Sequence, residues 1–240
     1  SHIKEYSVTD RTSLREIVNE IFRNYSDVLF IHHNTINISK RISFVQFTNN
    51  AVYLIEAIDN KIFYELSKTA DAIIPDLVVL AVRNICYPIF AKTEIDKWLG
   101  EYDVRKRKGE YAKDALLLDG LINKAKESSR KSDVANIIEW FSSYLHIPIY
   151  RKDLYYSMIR ALRLSDEKQI SAFDAMCDVR NNIRRAGRNI KGRCIGTTLL
   201  TKGLECECVV LLGSNCFVDY KHLYVALTRG SKDIICLRIT

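Results

Sequence analysis

The sequence predicts an α/β protein. Its parallel-sheet domain is formed by both chain ends and is interrupted by an all-helical insertion. Three observations carry this expectation. A strand, helix, strand pattern opens the chain, helical spacing runs through residues 49–185, and strand texture returns after Lys191. The sheet domain is therefore assigned to residues 1–48 and 186–240. Two unrelated domains would leave the first few elements without enough chain to bury a core.

The elements follow in order. "IKEYSV", Ile3 to Val8, alternates as a short strand does. "TSLREIVNEIFRNY" sets Leu14, Ile17, Val18 and Ile21 on one helical stripe, with Thr12 or Ser13 as the expected cap and Glu16 close behind. "DVLFIHH" is an apolar run of buried-strand length. From Ala51 apolar residues recur at three and four spacing through a series of helices. "GRCIGTTLL" and "CECVVLLG" then read as strands, "DYKHLYVALTRG" as a helix and "DIICLRI" as a last strand. Glycine is scarce at 9 and proline at 3, which disfavours long loops.

Composition narrows the function classes. With 240 residues, 48% of them hydrophobic, the chain can bury a sizeable core. The most apolar stretch, Ala72 to Ile89, is interrupted by Asp76 and Arg83, so no membrane helix is expected. Seven cysteines without framework spacing suggest reduced thiols and a cytoplasmic location. Cys206 and Cys208, two apart in a strand, are expected on one face as small buried residues, because no further zinc ligands stand at a suitable spacing. A formal net charge of +7 favours a polyanion partner. The opening "SHIKEY" resembles a cleaved-tag remnant, so the chain is expected to be a piece of a longer protein.

Two segments carry the chemistry. "TTLLTKGLECECVVLL" (Thr197 to Leu212) and "LYVALTRGSKDIICL" (Leu223 to Leu237) resemble the fifth and sixth motifs of UvrD/Rep-like superfamily 1 DNA helicases. Those motifs belong to the second RecA-like domain, called 2A. The family's fifth motif has His where Leu199 stands here. "DVLFIHHNTINISKRI" resembles the family's strand that delivers an Asn-bearing turn into a helix, and the helical block takes the place of the 2B insertion.

The resemblance implies the following. Arg229 is the arginine finger that stabilises charge on the transferred phosphoryl group. Lys202, Gly203, Glu205 and Thr228 contact the nucleotide. Thr197 and Thr198 touch phosphates of single-stranded or partly duplex DNA. ATP and Mg2+ are the cofactors, held mainly by an N-terminal first motor domain, since no Gly-x-x-x-x-Gly-Lys-Ser/Thr cradle occurs in this chain. No partner nuclease is identifiable. An Arg at a helix C-terminus is also what the helix dipole favours on its own.

Other polar features weigh less. "DEKQ", Asp166 to Gln169, has the letters of the family's magnesium motif but reads as a helix start capped by Ser165. In "RNNIRRAGRNIKGR" the residues Arg180, Arg184 and Arg188 are spaced for one helical face and, with Arg185, are candidate nucleic-acid contacts. "RKRK", Arg105 to Lys108, reads as a solvated loop. Trp140, Tyr155 and Tyr156 are base-stacking candidates, with core packing the competing role. His32 and His33 end a strand without a metal or nucleophile constellation around them. The expected function is thus the C-terminal motor domain of an ATP-dependent DNA helicase or translocase. A helicase-like module for DNA binding or partner docking is the alternative that Leu199 keeps open.

Overall fold

A computed structural model of the protein describes residues 2–100, 109–187 and 190–239. Its chain divides into two compact units, residues 1–57 with 189–240, and residues 58–188. The first unit is a six-stranded, wholly parallel sheet. Its strands are β1 (His2–Val8), β2 (Val28–His32), β3 (Tyr53–Leu54), β4 (Arg193–Thr197), β5 (Cys206–Leu212) and β6 (Gly230–Ile239), in the spatial order β1-β6-β5-β2-β4-β3. Both chain ends share one edge of it, because β1 pairs with β6 along its whole length.

The inner segments of the two central strands, Val28–Ile31 of β2 and Cys208–Leu212 of β5, are apolar at every position, so alternate side chains feed two cores. Val28 and Phe30 pack on one face with Val18 and Ile21 of α1 (Arg11–Asn24) and Phe44 and Val45 of α2 (Ile38–Phe47). Leu29 and Ile31 pack on the other with Ala226 of α10 (Tyr220–Leu227), Leu204 and Phe217.

The second unit holds α3 (Lys61–Asp71), α4 (Val78–Cys86), α5 (Lys92–Leu99), α6 (Ala112–Ser128), α7 (Lys131–Ser143), α8 (Lys152–Lys168) and α9 (Ala172–Ala186) around one core centred on Phe63, Ile85, Leu118, Phe141 and Met158. Its helix ends are tied across the sequence. Asp71 accepts from the backbone amides of Ala172 and Phe173 at 2.7 and 3.0 Å, capping α9 from a helix about a hundred residues away.

Four expectations are corrected here. Asp10, not Thr12 or Ser13, caps α1, accepting from the amides of Thr12 and Ser13 at 2.7 and 2.8 Å. Residues 51–60 are not helical: Tyr53 and Leu54 form a strand paired with Cys194 and Ile195. Ser165 lies inside α8, and its neighbour Asp166 instead caps α7 by accepting from the amides of Lys131 and Ser132. Cys206 and Cys208 face opposite cores, because the β5–β6 register slips between them and one residue of slip reverses every side chain. "RKRK" lies outside the described residues.

Candidate functional site

The two groups of residues singled out by the helicase-like motifs lie at opposite ends of the sheet. Arg229 immediately precedes β6 and Glu205 immediately precedes β5, and these strands are neighbours. The amide of Cys206 donates to the carbonyl of Arg229 at 3.0 Å, so positions 24 apart in sequence meet at the amino edge of the sheet. Thr197 ends β4 level with His32 of β2 and so belongs to the carboxyl edge. Six strand residues separate the levels, which corresponds to about 20 Å.

At the amino edge, α10 delivers Arg229. The Arg229 Nε donates to the carbonyl of Val225 at 3.0 Å, closing the last turn of the helix with a cation where the dipole favours one. Nη2 lies 3.3 Å from Oγ1 of Thr228, whose hydroxyl is itself committed to the Val225 carbonyl at 2.9 Å. The guanidinium is half-buried and has no carboxylate partner among the described residues. Glu205, next to the Cys206 that pairs with Arg229, is exposed, as are Lys202 and Gly203 in the segment that leads there from the carboxyl edge. Gly203 has φ +85° in the turn that Leu204 closes by donating to the Thr201 carbonyl, a conformation that glycine adopts without strain. The amino edge thus presents a tethered guanidinium and a carboxylate to solvent, with an ammonium and a glycine turn in the segment leading to it. It can grip one side of an anionic ligand but not enclose it.

At the carboxyl edge the side chains assigned to DNA are turned inward. Thr197 and Thr198 are 6% and 1% exposed, and Oγ1 of Thr198 is buried without a hydrogen-bond partner. The reason is the turn that follows β4. Thr201 folds back to bond the carbonyls of Thr197 and Thr198, and its methyl packs where a Cβ on Gly196 would stand, at 2.7 Å. What the turn exposes is Leu199, 64% accessible, with its amide held by Oδ1 of Asn34 at 3.0 Å. A phosphate contact through either threonine hydroxyl is not available in this arrangement.

The arginine stripe of α9 is also corrected. Arg180 is fully buried. Its Nε donates to the Ile58 carbonyl at 3.1 Å, its Nη1 to Asp153 at 2.9 Å and Ser157 at 3.1 Å, and its guanidinium lies 3.8 Å from the Phe63 ring centroid. It sits on the apolar stripe of Ala172, Ala175, Met176 and Val179, a sequence signal that separates it from Arg184. Arg184 is exposed and pairs with Asp59 and Asn181, Arg185 is exposed, and Arg188 lies outside the described residues. If the exposed pair meets DNA, replacing Arg184 and Arg185 by alanine should make the dependence of log K on log salt shallower by about 1.4, or about 0.7 per lost phosphate contact on a single strand. Fluorescence anisotropy with an oligonucleotide checks this, and an unaltered slope removes the patch. Trp140 and Tyr155 are core residues, leaving only Tyr156 of the three aromatic candidates exposed.

Among the described residues no three His, Cys, Asp or Glu side chains gather as metal ligands would. His33 pairs with Thr35 at 2.7 Å. Burial pushes the His32 imidazole down to about 4, reinforced by His33 and Arg41 and opposed by a backbone hydrogen bond at Leu212. The unfolded chain takes this proton near 6.5 and the folded one only near 4, so stability present above 6.5 is lost as pH falls through that window. Between roughly pH 7 and pH 5 His32 should cost the sheet unit about 2 kcal/mol, and His32→Gln should flatten that slope in calorimetric unfolding.

No helix among the described residues is long and apolar enough to cross a membrane. No protein-family model matches the chain, and no curated protein matches it.

Proposed function

We propose that this chain is the second, RecA-like motor domain, with a 2B-like helical insertion, of a UvrD/Rep-like superfamily 1 DNA helicase or translocase. The observation that supports the reading is the pairing of Arg229 with the Glu205 turn at one sheet edge, through the Cys206 to Arg229 backbone hydrogen bond. Two motif-like segments become one surface, and its guanidinium has no carboxylate to neutralise it among the described residues.

The donor set fits one side of ATP. Arg229 would stabilise charge on the transferred phosphoryl oxygens, while Lys202, the Gly203 turn, Glu205 and Thr228 would position the remainder of the nucleotide. ATP supplies the anhydride, and Mg2+ with the phosphate cradle would come from a first motor domain, since no phosphate-cradle sequence occurs in residues 1–240 and the acidic pair of "DEKQ" lies inside α8 rather than at a strand end. The eight residues from Thr198 to Glu205 run from the carboxyl to the amino edge and would join the DNA side to the ATP side. With the threonine hydroxyls turned inward, the DNA contact in that turn falls to its backbone and exposed positions.

The test is ATP turnover with single-stranded DNA, measured for this chain alone, for a phosphate-loop domain alone and for the two together or on one polypeptide. Turnover confined to the combination is expected. A phosphate-loop domain equally active without this chain would reject the motor reading and favour the docking module, which exposed Leu199 at the fifth-motif turn already suits better than a histidine relay.

A further inference from the structure

Within the sheet unit, the carboxyl edge opens between α1 and α2 into a cavity of about 670 Å³. Its floor is made by residues at or near the carboxyl ends of four strands, Val8, Leu237, Leu212 and His32. Leu14, Phe44 and Phe47 form its walls, and Arg11 and Lys40 stand at its mouth. It lies at the other end of the sheet from Arg229 and Glu205. The topology explains why it is there: β5 leads into α10 on one face, whereas β2 leads into α2 on the opposite face. Where neighbouring parallel strands send their connections to opposite faces, the chain parts and leaves a crevice at their carboxyl ends.

We propose that this cavity binds a small aromatic anion: a planar body of one or two rings carrying a single carboxylate or phosphate. The volume is that of a site for a drug-sized molecule, and an apolar floor with few polar groups is the usual lining of such sites. The aromatic preference comes from Phe44 and Phe47, whose rings are 5.9 Å apart and tilted by 37°. The charge preference comes from the mouth. The guanidinium of Arg11 lies 5.5 Å from the Phe47 centroid, held by the ring face, and that of Arg15, just outside the lining, lies 5.1 Å from the same centroid.

Arg11, Arg15 and Lys40 have no carboxylate partner among the described residues. The one acid in the lining, Asp10, is committed to the Thr12 and Ser13 amides at the start of α1. An anion therefore meets unbalanced positive charge, and its rings meet Leu14, Phe44, Phe47 and the His32 imidazole. The inference stands apart from the ATP reading, whose residues occupy the other sheet edge.

Titration calorimetry with 2-naphthoate, its neutral amide 2-naphthamide and AMP tests the proposal on the chain as it stands. We expect one equivalent of 2-naphthoate to bind with a dissociation constant of about 10–100 µM, and 2-naphthamide at least about tenfold more weakly. Arg11→Glu with Lys40→Glu should weaken 2-naphthoate about tenfold or more while leaving 2-naphthamide unchanged. Leu14→Trp should abolish both by filling the space. Ser43→Trp at the exposed rim does the same if the Leu14 change perturbs folding. AMP tighter than 2-naphthoate, with the same sensitivity to these variants, identifies a phosphate as the preferred anion, and the reverse order identifies a carboxylate. Equal binding of acid and amide, binding that survives both tryptophan variants, or no binding of any of the three overturns the proposal.

Discussion

Replacing Arg180 with methionine is expected to destabilise the helical unit by about 3–5 kcal/mol. Methionine keeps much of the length and apolar contact but offers no donor. The Asp153 carboxylate, whose side chain is only 12% exposed, then loses the guanidinium that neutralises it. The Ile58 carbonyl and Ser157 hydroxyl lose a donor as well. The loss is therefore larger than the net worth of the pair, because it leaves a charge in a poorly solvated place. Adding Asp153→Asn to the Arg180→Met protein should recover a substantial part of the loss, since the carboxylate that the guanidinium balanced is then neutral as well. Tryptophan fluorescence during urea unfolding is a selective readout. Both tryptophans, Trp98 and Trp140, are buried in this unit with ring centroids 5.2 Å apart. A loss below about 1 kcal/mol would mean that Asp153 finds other compensation, and the structural role assigned to Arg180 would fall.

Arg180 also shows where a linear reading stops. Its spacing to Arg184 makes a cationic stripe on paper, yet its spacing to Met176 and Val179 places it on the apolar stripe. The sequence holds both patterns, and the deciding partner, Asp153, lies 27 residues earlier on another helix. β3 is a similar case. Tyr53 and Leu54 are too few for period-two alternation to register, and their pairing partners lie about 140 residues onward. The Cys206/Cys208 reversal depends on a slip between β5 and β6 that neither strand encodes alone.

By contrast, β1, α1, β2 and the closing elements were legible because each carries a local pattern, an amphipathic period or a short apolar run, whereas α2 was expected only from the resemblance carried by residues 27–42. The candidate site divides the same way. Arg229 and Glu205 could be singled out because the residues around them are contiguous. That they share the amino edge, with Thr197 at the opposite one, needed the register. The cavity is assembled from four separated segments and left no trace except His32 at a strand end.

The largest functional effect is expected at Arg229. In the motor proposed above, Arg229→Ala should lower DNA-stimulated ATP turnover by about 10³–10⁵ while changing ATP affinity little, because a finger acts on charge that develops during transfer. The local geometry makes the substitution interpretable. The Nε anchor on the Val225 carbonyl aims the fork outward, and Thr228 supports it through Nη2. A half-buried cation closing a helix contributes only about 0.3–1 kcal/mol to stability, so the variant should remain folded.

Arg229→Lys separates charge from geometry. Its single ammonium can bond the Val225 carbonyl or reach a phosphoryl oxygen, but not both in the same pose, so it should rescue only a small part of the lost rate. Single-turnover hydrolysis beside nucleotide-binding measurements on the same proteins makes the distinction. If Arg229→Ala turns over ATP at the unsubstituted rate, the guanidinium does no more than close α10, and the amino edge is not the trans-acting half of an ATP site.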